Sequence, residues 1–63
     1  MYFVLFKDVQ NQWRWNMNAD NHKIIATGAE GYFNKQDATH GINLVKANAP
    51  TAGVYDKSQE RWI

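Results

Sequence analysis

Cysteine is absent from this 63-residue chain, which excludes a disulfide framework and a thiolate metal site as supports for the fold. Proline occurs once, at Pro50, and leucine only at Leu5 and Leu44, which disfavours a helical bundle. No apolar run approaches the ~20 residues of a membrane span, and the N-terminus shows neither the basic segment nor the small-residue cleavage site of a secretory signal. A cytoplasmic protein without membrane contact is expected. Seven basic and six acidic side chains leave a net charge of +1 with no block of either sign, so no long-range field draws in nucleic acid. The one serine, Ser58, has no histidine near it in sequence, and nucleophilic catalysis finds no constellation.

Aromatics, at 14% of the residues, are plentiful and suit a sheet. A chain this short buries only about 60% of its unfolded surface, so its core needs a supplement, and self-association is the cheapest one left.

Tyr2 to Lys7 alternates with apolar residues on both faces, Phe3 and Leu5 against Tyr2, Val4 and Phe6, which is more than a one-sided sheet requires. Asp8 to Gln12 is polar turn material. Trp13, Trp15 and Met17 then alternate with Arg14, Asn16 and Asn18 in a two-residue period, a second strand. Asp20, Asn21 and His22 make a hairpin turn, since Asp and Asn bond their own backbone readily. Lys23 to Thr27 supplies a third strand.

The stretch from Gly31 to Pro50 spells one helix. Asn34 is the expected N-cap, its side-chain oxygen accepting an orphan amide, and Asp37 lies in the first turn, where the dipole favours an anion. Ala38, Gly41, Ile42 and Val45 fall at i, i+3, i+4, i+7, a small and apolar stripe for burial. Lys46 suits the C-terminal dipole, Asn48 tolerates a left-handed exit, and Pro50 stops the ladder. Thr51, Ala52, Gly53, Val54 and Tyr55 read as a last strand. The class is α+β in the order β-β-β-α-β, with one domain over residues 1–56 and a tail over 57–63.

These residues resemble the YegP-like family of small bacterial domains, whose biochemical role is uncharacterised. The resemblance spans roughly residues 2–56. It is carried by Tyr2-Phe3 with Lys7-Asp8, Trp13-Arg14-Trp15, Ile24-Ile25-Ala26-Thr27, Gly31-Tyr32, and in the helix Lys35, Ala38, Gly41-Ile42, Val45-Lys46 and Asn48-Ala49-Pro50. The chain departs from it at Val4, where glutamate is common, at Asn16, where arginine often recurs, and at His22, where the turn usually has glycine. The resemblance implies a unit that occurs in tandem or as a dimerising single copy, two units forming one continuous sheet with helices packed on one face. They exchange their last strands, so Thr51 to Tyr55 is the expected dimer-forming strand. The bottom-up reading agrees, because a lone copy leaves a sheet edge unpaired and a short hinge at Pro50 favours exchange.

Trp13-Arg14-Trp15 invites comparison with a nucleic-acid platform, but the two-residue period sends Arg14 to the face opposite both rings. The tryptophans with Met17 are expected to face the helix. The other face, with Val4, Phe6, Arg14 and Asn16, is the candidate interaction surface. His22 and His40 are expected in solvent, His40 one turn from Asp37, with too few ligands to hold a metal. Gly28-Ala29-Glu30-Gly31 lacks the phosphate-loop spacing and reads as glycines for turn geometry. Lys7, Lys35 and Lys46 read as solubilising. The expected function is a non-enzymatic homodimeric interaction module without cofactor, the alternative being weak single-stranded nucleic-acid binding through exposed aromatic and basic residues.

Overall fold

Three strands in chain order form an antiparallel meander, β1 (Tyr2–Lys7), β2 (Trp13–Asn18) and β3 (Ile24–Thr27), in a computed structural model that describes residues 1–63. The spatial order β1-β2-β3 leaves both outer strands as free edges. Both hairpins turn the same way. Asn11 N–H donates to the Asp8 carbonyl at 3.0 Å and His22 N–H to the Ala19 carbonyl at 2.9 Å, after which the chain passes through a left-handed residue, Asn11 at φ 64° and His22 at φ 70°. A turn followed by one left-handed residue is a common three-residue hairpin loop, and glycine or asparagine accepts that conformation best.

The register sorts the side chains. Phe3 lies opposite Met17, Leu5 opposite Trp15 and Lys7 opposite Trp13, so these six share the inner face. Tyr2, Val4 and Phe6 lie opposite Asn18, Asn16 and Arg14 on the outer face. The helix α1 (Lys35–Asn48) crosses the inner face and buries Ala38 and Ile42 against it. With Trp15, these are the only three buried residues in the chain. Phe3 meets Trp15 edge-on, ring centroids 5.6 Å apart.

Glycine serves close approach here. No glycine has positive φ, which corrects the turn-geometry reading of Gly28 and Gly31. Gly28 lies against the indole of Trp15, where an added Cβ would sit 2.5 Å from Cε2, and Gly41 lets the helix rest 3.2 Å from the Tyr32 hydroxyl measured from the same hypothetical atom. Tyr32 extends the β3 side of β2, exchanging two backbone bonds with Trp13 at 2.7 and 2.9 Å.

The helix ends differ from expectation. Asn34 occupies the N-cap position with extended dihedrals, but its side chain caps no amide; its Nδ2 donates to Asp37 at 3.5 Å instead. Asn48 is right-handed at φ −109°, its Nδ2 donating to the Leu44 carbonyl at 2.8 Å, because the chain tightens directly into a 3-10 turn over Ala49–Thr51 that accommodates Pro50.

The last strand is displaced from its expected place. Thr51 belongs to the 3-10 turn, Ala52 to Val54 form no ladder, and only Tyr55 of that stretch lies in a strand, β4 (Tyr55–Asp56). It pairs locally, with β5 (Arg61–Trp62) in the expected tail. This hairpin touches neither the meander nor α1. The molecule is therefore elongated, 39 × 27 × 21 Å, with a Cα radius of gyration of 13.7 Å against about 10.6 Å for a compact chain of this length.

Candidate interaction site

The outer sheet face is uncovered by any element. Val4, Phe6, Arg14 and Asn16 are half-buried by their strand neighbours, and Tyr2 beside them is exposed. The structure brings these four residues onto one surface, as the alternation required. Arg14 is not free on it. Its Nε donates to the Asp8 carboxylate at 2.8 Å, and the same carboxylate accepts the backbone amides of Gln10 and Gln12 at 2.9 and 3.0 Å. These bonds, the Gln12 amide foremost and then Arg14, hold the Asp8 carboxyl below its usual value. The cation of the outer face is thus anchored to the first hairpin turn.

The second exposed apolar region is the C-terminal arm. Val54, Tyr55, Trp62 and Ile63 are all largely exposed. They are held as a unit by an edge-on contact between Tyr55 and Trp62, centroids 5.2 Å apart, and by the Ile63 amide donating to the Val54 carbonyl at 2.9 Å. Where the arm leaves the helix, Phe3, Met17, Val45, Ala49 and Pro50 line an open apolar notch with the stem of Lys46. Edge strand β3 adds Ile24 and Ile25, 57% and 51% exposed. A compact chain of this size exposes about 4,200 Å². This chain exposes 5168 Å². The surplus, about 1,000 Å², is close to the roughly 800 Å² that each partner gives to a standard interface.

The residues weighed for chemistry are dispersed. His22 is exposed, its Nδ1 2.7 Å from the Tyr2 hydroxyl; His40 is exposed on the flank of α1; Ser58 Oγ donates to Asp56 in the β4–β5 turn. No three His, Cys, Asp or Glu residues cluster to hold a metal ion, and no helix is long and apolar enough to cross a membrane. One arrangement escaped the sequence. Lys7 and Lys35, read as solubilising, both reach the ring of Trp13, at 5.3 and 5.5 Å from its centroid. Trp13 is half-buried at the rim while Trp15 is buried. Lys35 belongs to an element far along the chain, so only the β1–β2 pairing of Lys7 with Trp13 carried a local signal.

The sequence pattern of a domain of unknown function, DUF1508, matches residues 8–56. A UPF0339 protein of Neisseria meningitidis serogroup B is 43% identical over 54 residues, covering 86% of this chain and 95% of its own. A UPF0339 protein of Bordetella pertussis is 43% identical over 56 residues, which are 89% of this chain but only 49% of that one. The solution NMR structure of a protein from Haloferax volcanii superposes with a TM-score of 0.81 at 44% identity, covering 87% of this chain and 92% of that chain.

Proposed function

The chain belongs to the DUF1508 family, the small UPF0339 or YegP-like proteins of unknown function, and from that premise we propose that it works as a homodimeric interaction module. Two copies join their three-stranded sheets into one, and the segment from Thr51 to Tyr55 leaves its own protomer to pair with the sheet of the other. The observation that carries this reading is the surplus of about 1,000 Å² of accessible surface over a compact chain of this size, together with an arm that contacts neither the meander nor the helix. The free edges of β1 and β3 supply the unpaired backbone groups that an incoming strand needs. The Bordetella relative, with about as much chain again beyond the match, is long enough to hold a second unit in one polypeptide.

The module acts by binding in this reading, since His22 meets only the Tyr2 hydroxyl and Ser58 only Asp56 in the β4–β5 turn. Val4, Phe6, Arg14 and Asn16 then form the surface offered to a further protein, an apolar patch beside a cation fixed by Asp8. Single-stranded nucleic-acid binding through Trp13 with Arg14 is weakened by that same ion pair and by the opposite faces of the two side chains.

Light scattering over a range of concentrations tests the dimer. The full chain is expected at twice its formula mass, and a variant ending at Thr51 at single mass or unfolded. A full chain of single mass throughout overturns the reading. Phe6→Asp with Arg14→Glu is expected to leave the dimer mass unchanged; a monomer there moves the interface to the outer face.

A further inference from the structure

Two ammonium groups converge on one indole at the rim of the inner face. Lys7 arrives as the direct cross-strand partner of Trp13, and Lys35 as the first residue of α1. Their Nζ atoms lie 5.3 and 5.5 Å from the ring centroid. Neither has a carboxylate. The ion pairs of this chain join Arg14 to Asp8 and the Met1 amino group to Asp20, and both lie elsewhere. Each ammonium group lies near one ring and lacks a carboxylate, and a cation–π contact at an exposed site is weak, so the rim around Trp13 is locally positive and open to an anion.

The surroundings fit a ligand larger than a bare anion. Both lysines are exposed, so their stems can swing off the ring and free its face for a flat group. Beside Lys35 the flank of α1 forms an open depression lined by Asn34, Gln36, Thr39, His40 and Asn43. Those side chains offer hydrogen-bond donors and acceptors without a carboxylate. Asp37, the acid on the same helix turn, is engaged by Asn34.

We propose that Trp13, Lys7 and Lys35 bind a nucleoside phosphate. The base stacks on the indole, and the phosphate is met by the ammonium groups of Lys7 and Lys35, whose exposed stems can swing to it. The ring supplies a face that any base can use, so the site reads phosphate and planarity before base identity. The site differs from the Arg14 platform considered above, because all three of its side chains lie on one face. It does not rest on the homodimer.

Tryptophan emission of the full chain carrying Trp62→Phe, titrated at low salt with adenosine 5′-monophosphate, adenosine and a short oligodeoxyadenylate, tests the proposal. Quenching by the mononucleotide, with adenosine about tenfold weaker or more, is expected, as is loss of binding in rising salt. Quenching by the oligomer alone assigns the phosphate to a nucleic-acid strand and keeps the site. Lys7→Gln with Lys35→Gln should weaken binding about tenfold and flatten its salt dependence, while Lys7→Arg with Lys35→Arg should retain it. No quenching by either phosphate ligand, or equal quenching in the Gln variant, overturns the proposal.

Discussion

Asp8 shows how much one side chain can organise in a chain with only three buried residues. Its carboxylate collects two amides of its own turn and the guanidinium of Arg14, closing the β1–β2 loop and fixing the cation of the outer face at once. Because those bonds lower its folded pKa from the usual 3.8, the stabilisation they give is complete above that value and is lost as pH falls through the lower folded one. The urea midpoint of the wild-type protein is therefore expected to fall on acidification below about pH 4. Asp8→Asn should shrink this acid limb, leaving the contributions of Asp20 and Asp56, which are lowered too. An Asp8→Asn profile parallel to wild type would show that the carboxylate's charge does not stabilise the turn.

The elements differ in how plainly the sequence announces them. β1 and β2 are legible because alternation and cross-strand register are local properties, and Trp13, Trp15 and Met17 fall on the helix side as their spacing requires. The helix is legible from Ala38 and Ile42, both buried, although its cap is not, since Asn34 turns to Asp37 instead of an amide. The departure of His22 from glycine marked a position that is indeed left-handed, and Asn11 is its counterpart in the first hairpin. Asn11→Val should cost about 1–2 kcal/mol, because a β-branched side chain is crowded at positive φ. Chemical denaturation reads that loss, and Asn11→Gly is the control that should show none. Two features stayed illegible for different reasons. The β4–β5 hairpin is hidden because two-residue strands are too short to show a period, and the meeting of Lys35 with Trp13 because it joins residues far apart in the chain.

At the scale of the whole molecule, the meander and helix form one body and the arm after Pro50 stands off it. Within that body all three strands pair with their neighbours in the chain, through loops of a few residues, and the Trp13–Tyr32 bridge is the one longer-range backbone closure. Such short-range closures are quick, and sheets built this way refold on the fast side of their class. The arm has no surface of its own to close on, so in the dimer proposed here its docking must await a collision. Recovery from denaturant should then be biphasic: a unimolecular rise as Trp15 is enclosed, then a second phase whose rate climbs with protein concentration. A single concentration-independent phase would mean that the arm finds its seat within its own chain. Time, then, separates what distance already separates. On that proposal a folded but unmated protomer would persist at high dilution, its arm and sheet edges open to whatever it meets first.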